Sequence, residues 1–125
     1  MINIFKILLI FTFVLQASCG KEKKISTIAE TDIREQMVGL YQEGYNELLK
    51  GDSIYAAKKF NNAELIFPQS EWAPMASLMA AYAYYSQDYY FDAVDQIEDY
   101  LKRYPNHVHR DYAQFILAMC YYENI

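Results

Sequence analysis

Two histidines, two cysteines and a group of acidic residues are the side chains here with most capacity for chemistry. His107 and His109 each offer a ring nitrogen, but only Asp111 lies near them, and a protein zinc site needs three or four convergent ligands. They read as loop residues. Asp92, Asp95, Glu98 and Asp99 lack the loop spacing and glycine of a calcium site, so they read as a solvated helix face available to a partner. The serines fall at helix starts rather than beside a base, and no glycine-rich phosphate loop is present. No catalytic residue, cofactor or metal is therefore expected. A net charge of -5, with eleven Lys and Arg scattered along the chain, supplies no basic stripe to displace counterions. Nucleic acid is excluded as a partner.

Cys19 stands apart because of what precedes it. Lys6 gives a weakly positive start, Ile7 to Leu15 an apolar run too short to span a bilayer, and Ala17 and Ser18 a small-residue approach to Cys19. Residues 1–18 read as an export signal. Cys19 resembles the acylated first residue of a bacterial lipoprotein, although Gln16 holds the place where that pattern carries Leu and Leu15 lies one further back. Gly20 rather than Asp after the cysteine resembles the pattern for sorting to the outer membrane. Cys120, the only other cysteine, allows one disulfide at most, and acylation of Cys19 removes that option. It stands at a small apolar position of the repeat described next, the place of Ala83, so a buried inert thiol is expected.

The elements that hold these residues follow from an internal offset of thirty-seven residues. It lays Tyr41, Gly44, Leu48, Gly51, Ala56, Phe60, Phe67 and Pro68 onto Leu78, Ala81, Tyr85, Asp88, Ala93, Ile97, Tyr104 and Pro105. A third copy opens with Phe115, Ala118 and Tyr122. Self-similarity at this period predicts stacked helical hairpins. A first helix from Thr31 or Asp32 to Lys50 is expected, with Asp32 and Glu35 as a capping pair and Gly51 as the turn. The second runs from about Ser53, its expected cap, to Phe67, where Pro68 enforces the stop. Ser70 opens a third helix, Gln87 and Asp88 turn the chain, and a fourth runs from about Tyr89 to Arg103. Asn106 to Arg110 leads into a fifth. Small residues at Gly44, Ala81 and Ala118 predict the points where paired helices cross closely.

These positions are those of the tetratricopeptide repeat. Leu40-Tyr41-Gln42-Glu43-Gly44, Phe67-Pro68, Ala80 to Tyr85, Tyr104 to His107 and Asp111-Tyr112-Ala113, following an exported cysteine and a short tether, resemble the BamD family of outer-membrane-barrel assembly lipoproteins. The expected fold is all-α, a tetratricopeptide-repeat solenoid of two full hairpins plus the first helix of a third. The expected division is 1–18 export signal, 19–30 lipidated start and tether, and 31–125 repeat domain, with repeats at about 31–68, 70–105 and an incomplete 109–125. The resemblance covers the N-terminal half of the family's length. It implies a periplasm-facing scaffold, lipid-anchored to the outer membrane, working with BamA and the other Bam-complex subunits on unfolded outer-membrane β-barrel proteins. It also implies that precursors meet the N-terminal repeats and BamA docks mainly on the C-terminal ones, so a chain of this length is expected to lack the docking half. An alternative is another exported repeat lipoprotein that scaffolds periplasmic envelope or peptidoglycan enzymes.

Each first helix carries a second stripe besides the one used in its hairpin. Val38, Gln42, Tyr45 and Leu49 form it in the first copy, Met75, Met79, Tyr82 and Ser86 in the second, and Tyr112, Ile116 and Met119 in the third. A Tyr- and Met-rich groove accepts varied apolar segments because Met repacks around different shapes. The competing reading is that the stripe only packs one first helix on the next. Exposure of Tyr45 and Tyr82 separates the two readings.

Overall fold

The structure, a computed structural model, describes residues 27–124. The export signal over 1–18, Cys19 and the tether as far as residue 26 lie outside the described residues. Five helices follow in order: α1 Thr27–Lys50, α2 Ser53–Ile66, α3 Ala73–Tyr85, α4 Tyr90–Arg103 and α5 Arg110–Glu123. Each packs chiefly on its neighbours in sequence, so α1 with α2 and α3 with α4 form two hairpins and α5 lies against the second. Among the described residues there is no strand, and no helix is long and apolar enough to cross a membrane.

The helix starts differ from expectation for identifiable reasons. α1 already includes Thr27, so Asp32 lies inside the helix, where it accepts from the Gln36 side chain one turn on at 3.2 Å. At α2 the cap is Asp52 rather than Ser53: the Asp52 carboxylate accepts the Tyr55 backbone N–H at 3.0 Å, while Ser53 is the first helical residue and is buried. Ser70 does not begin α3 but serves it from a distance, its hydroxyl accepting the Ala73 N–H at 3.1 Å and donating to the Met37 sulfur at 3.2 Å. Pro74 falls in the first turn of α3, where its missing N–H costs nothing.

The stops recur with the repeat. α2 ends at Ile66 and α4 at Arg103, and the capping residues Phe67 and Tyr104 take similar backbone angles (φ -142°, ψ 67° and φ -125°, ψ 56°). Both precede a proline, which disfavours helical geometry in the residue before it.

Packing follows the small-residue stripe. A Cβ placed on Gly44 would meet the Phe60 ring at 3.1 Å and the Ala56 carbonyl at 3.2 Å, so α1 and α2 approach where the sequence offers no side chain. Tyr41 closes the crossing edge-to-face on Phe60, ring centres 5.1 Å apart. Ala56, Ala57 and Phe60 with Ala80 and Ala83 fill the space between the hairpins. Leu78, Ala81, Ala93, Ile97 and Tyr100 with Ala113, Ile116 and Cys120 seat α5 on the second hairpin. Cys120 is buried, as its equivalence to Ala83 predicts, and burial pushes its thiol pKa up. Ala118 departs from its equivalents Gly44 and Ala81, being exposed beside Phe115 (58 %) and Tyr122 (71 %), whereas Leu117 packs on the core.

Candidate functional site

The expected groove residues fall on the first-helix side of the stack, and the structure divides them. Val38 lines a pocket of about 170 Å³ with Met37, Tyr41, Gln42 and Trp72, between α1 and the turn that leads into α3. Met75, Met79, Tyr82 and Tyr112 line a second of about 210 Å³ with Leu78 and His109, between α3 and the start of α5. The repeat maps one pocket onto the other: Val38 onto Met75, Tyr41 onto Leu78, Gln42 onto Met79 and Trp72 onto His109. Tyr45 (43 % exposed) and Leu49 lie on the surface outside both pockets, Met119 is half-buried, and Ile116 belongs to the core. Tyr82 is half-buried and packs against the core while its side chain still lines the second pocket.

Trp72 and His109 line the pockets from outside the stripes that helical spacing marks. Both precede a helix and so escape a helical periodicity, yet the thirty-seven-residue offset pairs them and was the available signal. Burial raises the pKa of Tyr41 and Tyr112, with further upward pushes from Tyr45 on the first and Tyr82 and Tyr85 on the second. Their hydroxyls stay protonated at neutral pH and remain usable donors.

His107 has a structural task. The Tyr100 hydroxyl lies 2.7 Å from its Nδ1, and the His109 backbone N–H donates to the same nitrogen at 3.4 Å. A backbone N–H only donates, so Nδ1 is the acceptor and the ring proton sits on Nε2. Burial, then the neighbouring His109, pushes the His107 pKa down. Among the described residues no group of three His, Cys, Asp or Glu side chains converges as metal ligands would.

The opposite, second-helix side carries a polar network that no repeat signal marks. Glu64 of α2, 5 % exposed, pairs with Arg103 of α4 and accepts the Tyr104 hydroxyl at 2.5 Å. Arg103 also donates to Ser77 Oγ of α3 at 3.1 Å, Gln96 reaches the same oxygen at 3.4 Å, and Asn61 donates to Gln96 at 3.2 Å. Burial and the Glu64 hydrogen bond push the Tyr104 pKa up to about 12. Asn61, Glu64, Gln96, Arg103 and Tyr104 also line a cavity of about 530 Å³ between α2 and α4. The repeat equivalent of Glu64 is Leu101, and Phe67, the counterpart of Tyr104, has no hydroxyl. Among the described residues the network occurs at one hairpin junction.

Stacked helical hairpins with paired apolar pockets on one side and a polar junction on the other define a helical-repeat binding scaffold of the tetratricopeptide type. The chain belongs to the YfiO outer membrane lipoprotein family, whose model matches residues 34–125. That membership places it at the outer membrane as a lipid-anchored protein. Curated relatives carry the name outer membrane protein assembly factor BamD. The chain is 33 % identical to the one from Caulobacter vibrioides over 110 residues, 87 % of this chain and 35 % of the relative. It is 30 % identical over 115 residues to that of Neisseria meningitidis serogroup A, covering 91 % and 43 %, and 32 % identical over 102 residues to that of Rickettsia prowazekii, covering 82 % and 39 %. The chain thus spans less than half the length of these relatives, corresponding to their N-terminal part. No solved structure matches it significantly.

Proposed function

We propose that these repeats are the precursor-receiving part of an outer-membrane barrel assembly subunit, acting by reversible binding without chemistry. The observation that supports this most directly is the pair of repeat-related apolar pockets on the first-helix side. Since one pocket sits beside each first helix, we take their spacing as about one helix diameter, roughly 10–12 Å. An extended segment advances about 3.3 Å per residue. Apolar side chains about three to four residues apart on an unfolded barrel strand therefore reach both pockets at once. Val38, Met75, Met79, Tyr82 and Tyr112 form the walls of these pockets, with Tyr45, Leu49 and Met119 as flanking contacts. BamA and the other Bam-complex subunits are the expected assembly partners, and acylated Cys19 the expected tether.

The deciding experiment is anisotropy of a labelled, urea-diluted barrel precursor titrated with the full chain. Val38→Asp combined with Met79→Asp places a carboxylate in each pocket and weakens binding by about tenfold or more, while circular dichroism keeps its helical signal. Equal binding by wild type and variant sinks the proposal. Cys19→Ser releases the protein from the membrane fraction; persistent sedimentation refutes the tether at that residue.

A further inference from the structure

We infer that Glu64, through its pair with Arg103, is a positioning residue that sets the opening of the first pocket from the opposite side of the stack; this rests on the groove reading above. The first pocket is not contained within one hairpin. Its walls are α1 of the first hairpin and Trp72, which leads into α3 of the second, so its width depends on the angle between hairpins. The apolar clusters that join the two hairpins both involve α3, with Ala56, Ala57 and Phe60 packed on Ala80 and Ala83, and Met37 and Ala63 packed on Ala76, so α3 is the axis about which the first hairpin would turn relative to the second. The hydrogen-bonded links that run directly from α2 to α4 are the polar ones: Asn61 to Gln96, and Glu64 to Arg103 and Tyr104. They lie across α3 from the pocket and hold Ser77 of that helix as well. A link across the pivot acts as a stop, and an opening between α2 and α4 is a closure between α1 and Trp72.

The stop is specific to this junction. The second pocket is formed by α3, His109 and α5, and the chain has Leu101 where a second Glu64 would stand. Loss of Glu64 therefore alters the first pocket and leaves the second. Arg103 is 42 % exposed on its side chain and stays solvated when its partner is removed, so the change does not strand a buried charge.

The chain supplies its own probe, because Trp72 is its single tryptophan and lines the first pocket. A short extended peptide carrying one phenylalanine is titrated into the full chain, with Trp72 emission reporting the first pocket and the methyl resonance of Met79 reporting the second. In Glu64→Leu, binding read by Trp72 weakens by about tenfold while binding read by Met79 stays within about twofold, and Glu64→Gln, which keeps the hydrogen bonds, restores most of the loss. Equal affinities in wild type and Glu64→Leu at both probes, or a parallel loss at both, overturn the positioning role. A wild type in which neither probe responds overturns the groove itself, and the positioning role falls with it.

Discussion

Gly51 and Asp88 occupy the same place in successive hairpins and both hold the left-handed backbone, with φ of 86° and 65°. The first has no Cβ to oppose that geometry, whereas the second is offset by a short carboxylate that accepts the Tyr90 hydroxyl at 2.7 Å. The added Cβ at Gly51 meets nothing within 4 Å, so Gly51→Ala measures backbone strain alone. It should lower stability by about 1–2 kcal/mol in urea unfolding. Asp88→Gly should change it by less than about 1 kcal/mol, since relief of strain is offset by the entropy of glycine and the lost tyrosine contact. An unchanged midpoint for Gly51→Ala would contradict the turn assignment.

Gly44 and Ala118 are equivalent in sequence but not in surroundings. Gly44→Leu drives a side chain into the Phe60 ring and the Ala56 carbonyl and should cost roughly 1–3 kcal/mol. Ala118→Leu, on an exposed site, should stay within about 0.5 kcal/mol. Thermal unfolding of the two variants side by side is the check, and similar losses would remove the crossing argument.

Asp52→Ala removes the acceptor for the Tyr55 N–H and should cost about 1 kcal/mol, measured by the urea midpoint. Asp52→Ser should recover most of it, because a hydroxyl also caps. A larger effect from Ser53→Ala than from Asp52→Ala would show that the cap is misassigned.

His107 gives stability a dependence on mild acid. Its folded form favours the neutral ring, so the unfolded chain takes up a proton near the ordinary value of 6.5 and the folded chain only below it. Within that window the unfolded state binds more protons, and the contribution, complete above 6.5, declines as pH falls. Urea midpoints between about pH 7.5 and pH 5 should fall, and His107→Gln should flatten that part of the slope by removing the titration while retaining an acceptor for Tyr100. A slope that survives the substitution assigns the effect elsewhere.

What recurs was legible in the amino-acid sequence, and what happens once was not. Gly44 with Ala81, Phe67 with Tyr104 and Gly51 with Asp88 announce the crossings, stops and turns, because each solves the same packing problem twice. Glu64 with Arg103 serves the first junction, where the repeat counterpart of Glu64 is Leu101, and nothing in either residue's local pattern points across two helices. Trp72 and His109 were concealed differently, in turns where helical spacing carries no information. Caps shifted by one residue at Asp52 because neighbouring polar residues compete for the same orphan N–H groups, and only geometry decides between them.

Because each helix rests mainly on its sequence neighbours, the contacts of this fold close short loops. A chain delivered across a membrane in extended form, N-terminus first, can thus complete α1 on α2 before α5 has emerged. Low contact order makes such folding fast, and it lets maturation keep pace with export rather than wait for the end of the chain.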